Sequence, residues 1–105
     1  MTTEEFVKAF YCEKQDFLKE YLSDNTQTEA GELIKKLKLT ANQTEIMGKV
    51  LDSAFTDIFY TILLGLDGAA SIGGHQEIYE LKDENGNKFS GEIEGFAYEY
   101  FHESN

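Results

Sequence analysis

The sequence predicts an α+β protein: three helices, then an antiparallel β-hairpin and a short C-terminal helix. Three observations support this. Apolar residues recur at spacings of three and four up to residue 66, which is the period of one helical face. Asn85-Gly86 lies between two alternating segments, and this dipeptide is the strongest short-range hairpin signal. The tail after residue 93 fits helical spacing, with a third strand as the alternative.

The central element is a helix predicted over residues 41–65. Thr40 and Gln43 have the spacing of a capping box, in which each side chain satisfies a free backbone N–H group of the first turn. We expect the helix to form the rod of the fold. Its apolar stripe widens near the end to include Ile62, Leu63, Leu64 and Leu66, so we expect more than one side to be buried there. That stripe consists of Ile46, Met47, Val50, Leu51, Ala54, Phe55, Ile58, Phe59 and Ile62.

Two further helices are predicted before the central one. Thr2 and Glu5 form another capping-box pattern and open a helix over residues 3–22. After a turn at residues 23–25, Thr26-x-x-Glu29 opens a second helix over residues 28–38. Lysines at its C-terminal end suit the negative end of the helix dipole.

The hairpin is predicted at residues 76–93, after a glycine-rich turn at residues 65–74. Its arms are residues 76–82 and 88–93, which pair across residues 83–87. A two-residue turn would divide the apolar residues between the two faces. A loop of three or five residues is favoured because it places them on one face, namely Tyr79, Leu81, Phe89 and Ile93.

Composition limits the function. The 105 residues have room for one domain. The chain has no arginine and a net charge of −11, which argues against binding the phosphates of nucleic acid. Residues 1–51 carry nine acids and seven lysines, whereas residues 52–105 carry eleven acids and two lysines. The excess of acids in the second half therefore predicts either a solvated acidic surface or a face that binds a basic partner.

The sequence also predicts a cytoplasmic location. Cys12 is the single cysteine, so no internal disulfide can form. The first residues are acidic and lack the apolar region of a secretion signal. The longest apolar run, at residues 58–66, is too short to span a membrane.

An alternative function is a small metal-binding or hydrolytic protein that uses Asp67, His75, Glu99 and His102. Glu99 and His102 have the i, i+3 spacing of a carboxylate–imidazole metal pair, but the chain has one such pair. Asp83, Asn85, Asn87 and Glu94 match positions 1, 3, 5 and 12 of a calcium loop. Lys88 occupies the position where that loop needs glycine, so a hairpin turn is the better interpretation. We predict no cofactor.

No pattern of catalytic residues is present, and we expect the protein not to be an enzyme. The only thiol, Cys12, is predicted within a helix without an activating base nearby in the sequence, and we expect it to be a small buried core residue. The many carboxylates include no pair whose spacing singles it out for acid–base chemistry.

The segment from residue 64 to residue 101 reads LGLDGAASIGGHQEIYELKDENGNKFSGEIEGFAYEYF. It resembles small stand-alone bacterial proteins of the immunity type, from toxin–immunity systems. The resemblance covers about a third of the chain and contains no catalytic motif. It implies a cytoplasmic, acidic protein that neutralises a toxin by binding, and it transfers no functional residues.

The predicted function is therefore protein binding by an acidic surface that includes exposed tyrosine. Aromatic side chains beside carboxylates provide rigid contact area next to charge. The partner is expected to be a basic protein, for example a nuclease toxin. The third hypothesis is a homo-oligomer in which the central helix completes a core between subunits. The residues predicted to contact the partner are Glu77, Glu80, Asp83, Glu84, Glu92, Glu94, Tyr98 and Glu99.

Overall fold

The computed structural model describes residues 1–103, which form four α-helices and a final π-helical turn. The helices are α1 (Thr3–Tyr21), α2 (Glu29–Lys36), α3 (Ala41–Leu66) and α4 (Ile93–Tyr98), and the π-helical turn is Glu99–Glu103. The predicted bounds of the first three helices are confirmed to within two residues. The tail is helical rather than a third strand.

The first and third helices begin with the predicted capping boxes. In each, the threonine accepts a hydrogen bond from the third residue of the helix, whose own side chain accepts one from the threonine N–H group. The cap predicted for α2 is wrong: Thr28, not Thr26, accepts the hydrogen bond from the Gly31 N–H group, at 3.0 Å. Thr26 is buried, and its hydroxyl donates to the Glu20 carboxylate at 3.2 Å, which ties this loop to α1.

The α+β prediction is wrong, because residues 1–103 contain no β-strand. The chain does reverse at residues 83–87, where Lys82 and Lys88 form a single antiparallel bridge. The Phe89 N–H group also donates to the Leu81 carbonyl at 2.9 Å. Five residues separate the bridged lysines, and Leu81 lies opposite Phe89, as the favoured longer loop requires.

The reversal does not extend into a sheet, for two reasons. On the first arm, Ile78 is 94% exposed and Tyr79 is 39% exposed, so residues 76–80 have little apolar burial to hold them in place. On the second arm, Gly91 adopts a positive φ of 100° and α4 begins two residues later. An isolated hairpin without a buried face is at best marginally stable in water.

The core lies where α1, the C-terminal half of α3 and α4 meet. Its buried members are Val7, Leu63, Phe89, Ile93, Ala97 and Phe101. Aromatic pairs line this junction, and the Phe6 and Phe89 rings stack at 4.8 Å. Farther along α3, Phe55 packs edge-on against Tyr21 of α1 at 5.4 Å. The structure therefore buries one side of α3 against α1 and α4.

Part of the apolar stripe of α3 lies outside the core. Ile46, Val50, Ile58 and Ile62 are exposed, by 53%, 56%, 57% and 39%. These side chains stay exposed although α1 and α4 pack against α3. None of the described helices combines the length and apolar character needed to cross a membrane.

Candidate protein-binding surface

Three rings meet where the C-terminal helical segment lies beside α3. The His102 ring lies perpendicular to the Tyr60 ring of α3, with centroids 4.4 Å apart, and 5.8 Å from the Tyr98 ring. Glu94, Tyr98 and His102 follow one another at intervals of four residues, which places them on one side of a helix. We call Tyr60, Glu94, Tyr98 and His102 the acidic aromatic cluster.

The negative charge of this cluster comes from Glu94. Partial burial raises the pKa of the Tyr60 hydroxyl, and the nearby Glu94 carboxylate and Tyr98 raise it further. The phenol of Tyr60 therefore stays protonated and uncharged at neutral pH. Tyr98 is 53% exposed and Glu94 is exposed, so both are accessible from solvent. An exposed ring beside a carboxylate can receive a lysine or arginine side chain.

Asp67 fixes the position of the helix that carries the cluster. Asp67 is the C-terminal cap of α3, and one of its carboxylate oxygens accepts a hydrogen bond from the Gly91 N–H group. Its other oxygen accepts from the Glu94 N–H group at 2.9 Å. These are backbone groups at the start of α4, which α4 itself cannot satisfy. Asp67 therefore joins the end of one helix to the beginning of the next.

Contacts with α1 hold the same helix from the other side. The Tyr100 hydroxyl donates to the Glu4 carboxylate at 2.9 Å, and this hydrogen bond raises the pKa of Tyr100. The Thr3 hydroxyl donates to the Glu92 carboxylate at 3.4 Å. Glu92, one of the predicted contact residues, is the residue before α4 and thus links the start of α4 to α1.

Two predicted contact residues form local interactions in the chain reversal. The Asp83 carboxylate accepts from the Asn85 and Asn87 N–H groups and from the Asn87 side chain, all at 2.8–2.9 Å. The hydrogen bonds from Asn87, then that from Asn85, hold the pKa of Asp83 below its ordinary value. Glu80 forms an ion pair with Lys82, which lowers the pKa of Glu80.

The remaining predicted contact residues are exposed but lie on separate elements. Residues 71–80 are exposed throughout, so Glu77 flanks the protruding side chain of Ile78. Glu84 is exposed in the chain reversal, and Glu99 is exposed where the π-helical turn begins. Of the eight predicted residues, the structure brings Glu94 and Tyr98 together with two rings that the prediction left out, those of Tyr60 and His102.

The four residues of the metal hypothesis do not form a common site. Asp67 binds backbone N–H groups, and His102 packs against tyrosine rings. His75 is exposed, and its backbone pairs with Ile72 in a tight turn. Within residues 1–103, no three His, Cys, Asp or Glu side chains lie close enough together to hold a metal ion. Cys12 is exposed on α1, contrary to the expectation of a buried core residue.

Sequence reasoning missed a buried lysine. Lys14 is fully buried, and its ammonium lies 2.8 Å from the Asp52 carboxylate and 3.0 Å from the Thr56 hydroxyl. The rings of Tyr11 and Phe101 also lie within 6 Å of it. One signal was available: Lys14 follows Val7 by seven residues, which places it on the buried side of α1.

Comparisons with protein-family models, with curated proteins and with solved structures give no match for this chain. Its candidate surface is therefore interpreted from geometry and charge.

Proposed function

We propose that this protein is an acidic binding module that acts by binding a basic protein through the acidic aromatic cluster. The observation that carries the proposal is the position of Tyr98. Its ring is 53% exposed, lies 5.8 Å from the His102 ring, and shares one side of the helix with the Glu94 carboxylate. A large exposed ring held beside a carboxylate is typical of a protein-binding surface.

The chemistry of the cluster favours a lysine or arginine from the partner. A cation over a tyrosine ring is attracted by the ring quadrupole, and the Glu94 carboxylate adds a charge-assisted hydrogen bond. The His102 ring lies against the Tyr98 ring and is itself packed against the Tyr60 ring. A supported ring loses little conformational entropy when the partner binds.

Other acids in the second half of the chain would act by steering. Glu77, Glu80, Asp83, Glu84, Glu92 and Glu99 belong to the half that carries eleven acids and two lysines. Charges around a contact raise the rate of encounter with a partner of opposite charge more than they raise affinity. We propose that these residues form the rim of the interface. Asp83 also stabilises the chain reversal through its hydrogen bonds.

The specific role proposed is that of an immunity protein that acts in the cytoplasm and neutralises a basic toxin, such as a nuclease, by direct binding. The resemblance of residues 64–101 to immunity-type proteins and the acidic charge of this half support that role. The resembling segment includes Glu94 and Tyr98. The protein would then act by binding alone and would catalyse no reaction at this surface.

The test begins with capture of partners on the immobilised protein from a lysate of the native cell. For a captured basic protein, Kd and the association rate are measured with the wild type and with the double variant Glu94→Gln/Tyr98→Ala. Since contacts at the centre of an interface contribute about 1–3 kcal/mol each, we expect the Kd of the variant to rise by about tenfold or more. The matched control is Glu29→Gln/Glu32→Gln, which removes two exposed acids from α2.

We expect the control to keep the wild-type Kd within about twofold, because rim and remote charges contribute little to affinity. We also expect binding to weaken as salt rises, since the Debye length falls from about 10 Å at 0.1 M to about 3 Å at 1 M. Capture of no basic protein, or equal affinity for the wild type and the Glu94→Gln/Tyr98→Ala variant, would contradict the proposal.

A further inference from the structure

The outer side of α3 carries a continuous row of apolar side chains. Ile46, Val50, Ala54, Ile58 and Ile62 follow at intervals of four residues, and such residues form a ridge along a helix. The four large side chains are between 39% and 57% exposed, and Ala54 at the middle is half-buried. We call these five residues the α3 ridge. It spans most of the length of the helix and faces away from α1 and α4.

The accessible surface of the molecule is larger than that of a typical compact monomer of the same mass. Its accessible surface is 7034 Å², whereas a compact monomer of 11.9 kDa exposes about 5,950 Å². Its radius of gyration is 16.0 Å, compared with about 12.9 Å for a compact domain of this length. The excess of surface, about 1,100 Å², includes the exposed segment at residues 71–80 as well as the α3 ridge.

We propose that the α3 ridge binds the α3 ridge of a second copy of this chain, and that the two helices run antiparallel about a two-fold axis at Ala54. Such an axis places Ala54 against its own copy. Val50 then faces the partner's Ile58, and Ile46 faces the partner's Ile62. Ridges of this type pack together in the commonest class of helix pair, at a crossing angle of about −50°. The small side chain of Ala54 lets the two backbones approach at the crossing point.

The charges beside the ridge favour antiparallel packing of a second copy. Lys49 and Asp57 flank the ridge, each four residues from Ser53. Antiparallel packing therefore brings Lys49 of one copy towards the partner's Asp57, twice in each dimer. Parallel packing about a two-fold axis would instead place each of these residues and its own copy on opposite sides of the interface, and no Lys49–Asp57 pair would form across it. The ridge and its flanking charges are thus self-complementary, as a two-fold interface requires.

The test is sedimentation of the full-length protein at micromolar concentration, with Ile58→Glu as the disrupting variant. Because Ile58 is 57% exposed, the substitution leaves the core of the subunit intact. It buries a carboxylate in the dimer, so we expect the dimer Kd to rise by about tenfold or more. Leu33→Glu is the matched control, since Leu33 of α2 is 53% exposed and lies outside the ridge. We expect the control to remain a dimer.

A charge exchange tests the direction of packing. Lys49→Asp and Asp57→Lys each bring like charges together and should weaken the antiparallel dimer, whereas the double variant should restore it. In a Cys12→Ala background, Ala54→Cys should form a disulfide-linked dimer on mild oxidation, since the two thiols meet at the axis. A monomeric wild type, a dimer unaffected by Ile58→Glu, or a double variant as weak as the single ones would overturn the proposal.

Salt separates this inference from the proposed function. Each copy carries a net charge of −11, so the two copies repel one another and added salt should strengthen their association. Salt should weaken the binding of a basic protein to the acidic aromatic cluster. Either proposal can therefore fail while the other holds.

Discussion

The ammonium of Lys14 lies 2.8 Å from the Asp52 carboxylate, which joins the middle of α1 to the middle of α3. Lys14 is fully buried, while the Asp52 side chain is 49% exposed. The desolvation penalty therefore falls mainly on the lysine, and the aspartate keeps part of its hydration.

Because of this asymmetry, we expect the two residues to respond differently to substitution. Asp52→Ala should lower the free energy of unfolding by about 3 kcal/mol, because it leaves a buried ammonium without its counter-charge. Lys14→Met should cost less than about 1 kcal/mol, because an apolar side chain of similar length replaces the buried charge. Urea unfolding followed by circular dichroism measures both values. Equal losses for the two variants would contradict this account of the pair.

The carboxylate of Asp67 provides a second test of how the helices are held. Asp67→Ala removes the acceptor for the Gly91 and Glu94 N–H groups, and loss of a helix cap costs about 1–2 kcal/mol. We expect faster hydrogen exchange at Gly91 and Glu94 in this variant. Asp16→Ala, at an exposed position on α1, is the control and should leave exchange at these amides unchanged.

Two helical glycines should respond in opposite directions to alanine. A Cβ atom on Gly31 of α2 would overlap the side chain of Thr26, which is buried and hydrogen-bonded to Glu20. A Cβ atom on Gly95 of α4 would meet no atom within 4 Å. We expect Gly95→Ala to stabilise the protein by about 0.5–1 kcal/mol, and Gly31→Ala to destabilise it. Thermal unfolding would contradict this account if both variants shifted Tm in the same direction.

The chain reversal at residues 83–87 should depend on pH through Asp83. Its folded-state pKa lies below the ordinary value of 3.8 because Asn87 and Asn85 donate hydrogen bonds to the charged form. The stabilisation is therefore fully present above that ordinary value and is lost as pH falls through the lower folded-state pKa. An NMR titration should show the Asn85 and Asn87 amides shifting together in this acidic range. The shift should be absent from Asp83→Asn.

The helices were predictable from sequence because the signals for them are local. Capping boxes at Thr2 and Thr40 act within one turn, and helical periodicity persists through α3. The hairpin was predicted wrongly because Asn85-Gly86 specifies a reversal and not a sheet. The remaining requirement, a buried face along both arms, is not met at Tyr79, which is 39% exposed.

The candidate surfaces were harder to predict because they depend on which elements pack together. Periodicity identifies Val50 and Ile58 as an apolar row but does not say whether another element covers it. Lys14 lies among polar residues in the sequence, although its helical phase places it beside the core. Tyr60 and His102 lie far apart in sequence, so only tertiary packing brings their rings together beside Tyr98.

The proposed binding of a basic partner is tested most directly by NMR titration of the isotopically labelled protein with an Arg-Ser repeat peptide at low salt. We expect the largest shift changes at Glu94, Tyr98 and His102, and small ones at Glu29 and Glu32 of α2. We also expect Glu94→Gln/Tyr98→Ala to abolish the localised changes. Changes spread evenly over all exposed acids, or no change at the acidic aromatic cluster, would contradict the claim that this surface recognises basic proteins.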